Sequence, residues 1–322
     1  MSIPFSFGFS AFIRLYFPGL FFSMLTFPLF SYLFRNMKMF ADLSNPGFIP
    51  ISAIFWAVII YLLDDKILNI FIGNTLWPSF LKKFNINLEN RYIKKLLEQK
   101  QKLIKDDQVS SNQYTTVWSK LNLFPINDDG KYYAERPTRL GNIIYGYESY
   151  PKSRYGMDAG FFWYRIWLKL RKNIRDEIDA VRSKADCAVY SSFVFYVSSI
   201  IHLIALVLSR FRKINAIFAV SSKTLLIITL VSLVLGYLFY RCSFSLHQIY
   251  GEFLKSIFDL HKDVIYEMGK PFSKEKKDKI NKMVWYLHFR INYCSNCKKY
   301  NSKFQQCKHC GNEVIDFDSI EK

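Results

Sequence analysis

The residues whose types and spacing speak most directly of chemistry lie towards the C-terminal end. Cys294-Ser-Asn-Cys297 is followed, after nine residues, by Cys307-Lys-His-Cys310-Gly311. Each Cys-x-x-Cys turn presents a pair of thiolates, and two pairs complete the tetrahedral donor set that zinc prefers. Gly311 is small enough to let backbone amides turn towards the sulfurs. Metal binding also lends folding free energy to a segment too short for a core of its own. The rival chemistries are two disulfides or redox-active thiols. Disulfides need an oxidising compartment, and the paired spacing favours a structural zinc ribbon. Four protein ligands close the coordination sphere, so the expected role is not catalytic. His309 is expected to be exposed rather than coordinating, and Cys187 and Cys242, at the ends of apolar runs, are expected only to pack.

A second set of candidates sits inside apolar runs. His202 falls near the middle of one run, on a helical face with Ser191, Ser198, Ala205 and Ser209. The next run carries a matching face of Ser222, Thr229, Ser232 and Gly236. Ionisable groups at membrane depth are costly and usually face a cavity or a partner. His202, Ser198, Thr229 and Ser232 therefore mark either a polar pathway or a close-packed helix pair, since small residues let backbones approach and hydroxyls bond across. No acidic partner for His202 is visible within the runs, which favours packing. Arg14 and Lys223 are read as snorkelling to an interface.

The third candidate is the run Arg136-Pro137-Thr138-Arg139-Leu140-Gly141-Asn142, with Glu148 and then Arg154-Tyr155-Gly156-Met157-Asp158 beyond it. Thr138 and Asp158 are expected to cap helices. Arg139, Glu148, Arg154 and Asp158 are expected to form a charge network. The same four residues are the best candidates for a catalytic or anion-binding site. No nucleophile–base pair or Gly-rich phosphate loop accompanies them, so the structural reading is preferred.

The elements that must position these groups follow from the hydropathy pattern. The chain has 322 residues with 44 Lys and Arg against 26 Asp and Glu, a net charge of +18. Its apolar residues gather in runs long enough to cross a bilayer, which takes about 20 residues of helix. Four spans are expected, at 12–34, 47–63, 187–209 and 216–240, forming two hairpins. Residues 12–34 are too long for the apolar core of a signal peptide. Pro18 and Pro28 are expected to kink the first span, and Asp64, Asp65 and Lys66 to close the second. Residues 68–81 are apolar but broken by Gly73, Asn74 and Pro78, and either lie in the interface or extend the second span. The expected fold is thus mainly α: a polytopic membrane protein with helical cytosolic extensions and a small C-terminal zinc ribbon. Its expected divisions are 1–81, 82–186, 187–240, 241–290 and 291–322.

Lys and Arg near span ends set orientation. The middle segment opens with Lys82, Lys83, Arg91, Lys94 and Lys95 and closes with Lys169, Arg171, Lys172, Arg175, Arg182 and Lys184. That places it, and with it both termini, in the cytosol. Arg210, Arg212 and Lys213 in the turn between the last two spans point the other way and are outnumbered. The middle segment is expected to be mostly helical, with a charged helix over 88–107. A stripe of Trp163, Ile166, Trp167, Leu170, Ile174, Ile178 and Val181 reads most simply as one long helix running into the third span, with an interfacial helix as the rival, since the two Trp and many basic residues suit a headgroup layer. Ile249, Phe253, Ile257, Leu260 and Val264 form a stripe after the fourth, and the two are expected to pack on each other. A basic helix over 274–289 is expected to lead to the ribbon. The positive charge fits anionic lipid beside cytosolic loops better than nucleic acid, for which no RNP or helix-turn-helix signature is present.

The run PTRLGNIIYGYESYPKSRYGMDAGFFW, together with YGEFLKSIFDLHKDVIYEMG after the last span, resembles a family of bacterial four-span membrane proteins of unassigned activity. The resemblance covers about half the chain and implies a bacterial inner-membrane protein. The zinc ribbon would be an added module. Three functions compete. The first is a non-enzymatic, homo-oligomeric assembly with a cytosolic sensing or docking region, acting as a channel or pore. The second is a scaffold that docks a cytosolic protein through the ribbon. The third is an enzyme acting on lipid or nucleotide through Glu148 and its neighbouring arginines.

Overall fold

The computed structural model describes residues 9–36, 46–109, 111–127, 130–155, 158–209, 221–261, 291–293 and 300–302. The chain is mainly helical and divides into two units, Met1–Phe258 and Asp259–Lys322.

In the first unit α1 (Phe9–Asn36) carries Pro18 and Pro28 within it. A short 3-10 turn, Pro46–Phe48, leads into α2 (Ile49–Leu62). These two helices pack at a glycine: a Cβ on Gly19 would stand 2.4 Å from the carbonyl oxygen of Ala53. One turn on, Phe22 meets Trp56 edge to face with ring centroids 4.3 Å apart. Next comes α3 (Asp64–Ile72), bent by 64° from the segment ending at Leu62. Asp64 and Asp65 occupy its first turn, where carboxylates complement the helix dipole. It ends at Gly73, which takes φ +89°, a left-handed cap that glycine adopts without strain.

The middle segment is helical, as expected. It holds α4 (Ser79–Lys105), α5 (Asn112–Leu121), α6 (Arg139–Tyr155) and α7 (Ala159–Lys169). Ser111 caps α5 by accepting from the Tyr114 amide, and Ile93, Leu96, Val117, Leu121 and Phe124 form the core between α4 and α5. The stripe from Trp163 to Val181 is not one helix. Leu170 turns to an extended conformation at ψ 141°, so α7 stops and α8 (Lys172–Leu208) starts afresh. Leu170 is buried at the break, so tertiary packing overrides a pattern that reads as continuous.

The last long helix is α9 (Ser222–Leu260). With 37 and 39 residues, α8 and α9 would each reach about 55–60 Å, nearly twice the apolar thickness of a bilayer. Three helices, α1, α8 and α9, are long and apolar enough to cross a membrane, and α2 with α3 makes a fourth if the bent pair counts as one span. Their outward faces are apolar: Phe55, Val58, Leu203, Ile227 and Val234 are all exposed.

In the second unit, β1 (Ile291–Tyr293) pairs antiparallel with β2 (Tyr300–Ser302), with Tyr293 opposite Tyr300. The four cysteines expected to form the ribbon, the basic helix expected at 274–289 and the basic residues Arg210, Arg212 and Lys213 lie outside the described residues.

Candidate functional site

The first polar centre forms at the bend between α2 and α3. The bend at Leu63 brings Asp64 to face α1 and α8. Arg14 Nη2 donates to Asp64 Oδ2 at 2.6 Å and to the Tyr190 hydroxyl at 2.8 Å. Arg14 Nε stands 3.0 Å from Asp186 Oδ2, and the Tyr190 hydroxyl donates in turn to Asp64. Asp186 also faces Arg182, one turn earlier on α8, at 3.4 Å. Two guanidiniums and two carboxylates thus meet with no net charge. That balance lets them sit where an isolated ion would be very costly. Arg14 therefore does not snorkel. It is 7 % exposed and held by ion pairs. Likewise Asp64 does more than close a span. The sequence holds the signal for this centre: one arginine inside the first run, one aspartate just after the second and one just before the third.

Beside Arg182 and Asp186 lies a buried aromatic cluster. The Tyr147 hydroxyl stands 3.4 Å from His247 Nδ1, and the Tyr147 and Tyr250 rings meet edge to face at 5.5 Å. Gly251 makes room for this, since a Cβ there would lie 2.5 Å from the Tyr147 ring. Burial holds the Tyr147 phenol well above its usual range. Burial also raises the Glu148 carboxyl, against the opposing pull of Arg136 and Arg182.

A second polar level lies deeper in the bundle. His202 is fully buried. Its Nδ1 lies 2.7 Å from the Ser198 carbonyl and 3.3 Å from the Ser198 hydroxyl. A carbonyl only accepts, so Nδ1 carries a proton and donates to it. His202 Nε2, Ser23 Oγ and Ser232 Oγ are buried without a hydrogen-bond partner among the described residues. Neighbours of the first expected face bond to members of the second: Ser192 donates to the Gly236 carbonyl at 2.8 Å and Ser199 to the Thr229 carbonyl at 3.3 Å, while Ser209 and Ser222, one from each face, bring their hydroxyls to 3.4 Å. Thr229 itself donates back to Leu225 within its helix.

The Pro-Thr-Arg-Leu-Gly-Asn run ties the end of α3 to the middle segment. Thr138 caps α6, accepting from the Gly141 amide at 2.9 Å, and its hydroxyl faces the Phe71 and Ile72 carbonyls at 2.7 and 3.1 Å. Asn142 accepts from the amides of Glu135 and Arg136 and donates to the carbonyls of Arg136 and Thr138. Arg139 pairs with Glu89 on α4 at 2.6 Å and lies over the Tyr92 ring at 4.1 Å. The expected network of Arg139, Glu148, Arg154 and Asp158 is not formed. Asp158 caps α7 through the Phe161 amide, Arg154 is exposed, and Glu89, not Glu148, takes Arg139. Helix capping and a partner from a distant helix satisfy these groups separately.

Among the described residues, no group of three or more His, Cys, Asp or Glu side chains could hold a metal ion. Residues 294–299, which include Cys294 and Cys297, connect β1 to β2. No family model, curated protein or solved structure matches this chain.

Proposed function

We propose that the chain is a non-enzymatic, homo-oligomeric protein of the bacterial inner membrane that passes small ions through its helical bundle. Its middle segment and both termini lie in the cytosol. The observation that carries this reading is the Arg14, Asp64, Asp186 and Tyr190 network at the break between α2 and α3. Interrupted helices and paired charges near membrane depth are characteristic of ion and substrate paths, because irregular backbone and ions are tolerated only where protein or water satisfies them. His202 and the unpartnered hydroxyls of Ser23 and Ser232 extend a polar route into the apolar part of the bundle. The proposed role of His202 is that of a gate. Reconstitution of the full chain in liposomes tests this. A cation flux that disappears in His202→Leu supports the reading, whereas no flux under any imposed gradient contradicts it.

The C-terminal cysteines are assigned to a structural zinc held by Cys294, Cys297, Cys307 and Cys310. The strand pair on either side of residues 294–299 supports this, since a ribbon commonly presents a Cys-x-x-Cys turn between two short strands. It also supports the second reading, a scaffold that docks a cytosolic protein through the ribbon. A pull-down whose partners are lost in Cys294→Ser with Cys297→Ser would favour that role.

A further inference from the structure

A cleft of about 890 Å³ opens between the end of α3, the start of α4, the N-terminus of α6 and the segment of α9 around Tyr240. Three cations and one carboxylate line it, and the carboxylate, Glu89, is already taken by Arg139. Lys120 and Arg241 remain. Both are exposed, and neither has a carboxylate partner among the described residues. The cleft therefore holds two uncompensated positive charges. Thr138, which caps α6, is also in the wall, so the positive end of that helix dipole lies at the same cleft. Together these groups ask for an anion.

The lining is also aromatic. Phe71 at the end of α3 and Tyr237 on α9 belong to it, and Tyr237 is 55 % exposed one turn before Arg241. Aromatic rings next to cations at the end of a membrane-spanning helix mark the headgroup layer. A small soluble anion would leave these rings uncovered, whereas a lipid covers them with its glycerol and upper acyl chain. We propose that the cleft holds the headgroup of an anionic glycerophospholipid, with Lys120 and Arg241 on the phosphate oxygens and the acyl chains leaving past Phe71 and Tyr237. The site requires only that the bundle spans a membrane, so it stands or falls separately from ion conduction.

The test is native mass spectrometry of the full-length protein in detergent, with phosphatidylglycerol, phosphatidylcholine or inorganic phosphate added. The expected result is preferential retention of phosphatidylglycerol, weakened by about tenfold for each cation removed in Lys120→Gln and Arg241→Gln. Lys120→Arg with Arg241→Lys should restore retention, since the charges return. Both side chains are exposed, so loss of fold is not expected, and an unchanged thermal midpoint checks it. Equal retention of both lipids, or retention unaffected by the double glutamine variant, overturns the proposal. Displacement of the lipid by excess inorganic phosphate overturns the lipid assignment in favour of a soluble phosphate.

Discussion

Arg14 and Asp64 lie 50 positions apart, yet Arg14 Nη2 meets Asp64 Oδ2 at 2.6 Å across the break between α2 and α3. The contact fixes the N-terminus of the half-span α3 against α1, and Asp186 extends it to α8. One side chain thus joins three membrane elements.

Removing Arg14 leaves the Asp64 carboxylate without its cation and leaves Asp186 with Arg182 alone. Arg14→Gln is expected to cost about 3–5 kcal/mol, the usual penalty for orphaning a buried charge. Arg14→Gln combined with Asp64→Asn should recover part of that loss. Denaturation of the purified protein in detergent, compared across the cycle, reads the coupling. Additive losses would show that the pair does not interact.

Two glycines should respond very differently to alanine. At Gly19 the new Cβ would stand 2.4 Å from the backbone of Ala53, which has little room to give. Gly19→Ala is expected to cost about 1–3 kcal/mol by forcing α1 from α2. Gly130 has φ +76° but open space around it, so Gly130→Ala should cost only the backbone strain of about 1 kcal/mol. Thermal melts of both variants check the order.

Thr138→Val keeps the shape of the side chain and removes the hydroxyl. It should lose the α6 cap and the bonds to Phe71 and Ile72, a cost of about 1–2 kcal/mol. Faster proteolysis between Gly73 and Pro78 would locate the damage at the end of α3. Unchanged cleavage would show that the run does not anchor the half-span.

The raised carboxyl of Glu148 sets a pH signature. Burial lifts its folded value above the unfolded one, so the folded state binds the proton more tightly. The associated stability is fully present below the ordinary carboxylate range and is lost as pH rises through the raised folded value. Glu148→Gln is neutral throughout and escapes that loss. It should therefore melt higher than the parent at neutral pH, with the gap closing in mild acid. A gap of the same size at every pH would contradict the burial argument.

Much of the architecture is legible in the chain because bilayer thickness imposes long apolar runs: α1, α8 and α9 take in most of 12–34, 187–209 and 216–240, though α8 starts well before its run and α9 continues well beyond its own. The bend at Leu63 is not legible, since no proline or glycine stands there. The contact made at that bend, Asp64 with Arg14, joins positions far apart in the chain. The break at Leu170 hides for a similar reason, because burial of one leucine outweighs a continuous stripe. The caps at Thr138 and Asp158 are local and were readable. The partner of Arg139 was not, since Glu89 sits on a helix whose placement only the tertiary fold supplies.

The bent α2–α3 pair and its charge network are proposed to form part of an ion path. Cation flux into liposomes holding the full chain, measured side by side for the parent and Asp64→Asn, tests that most directly. The parent should dissipate an imposed cation gradient, and Asp64→Asn, which keeps the shape of the network while removing one negative charge, should slow that flux by about tenfold, the effect of a change near 1.4 kcal/mol in the barrier. Equal flux in the two, or none in the parent, would contradict it.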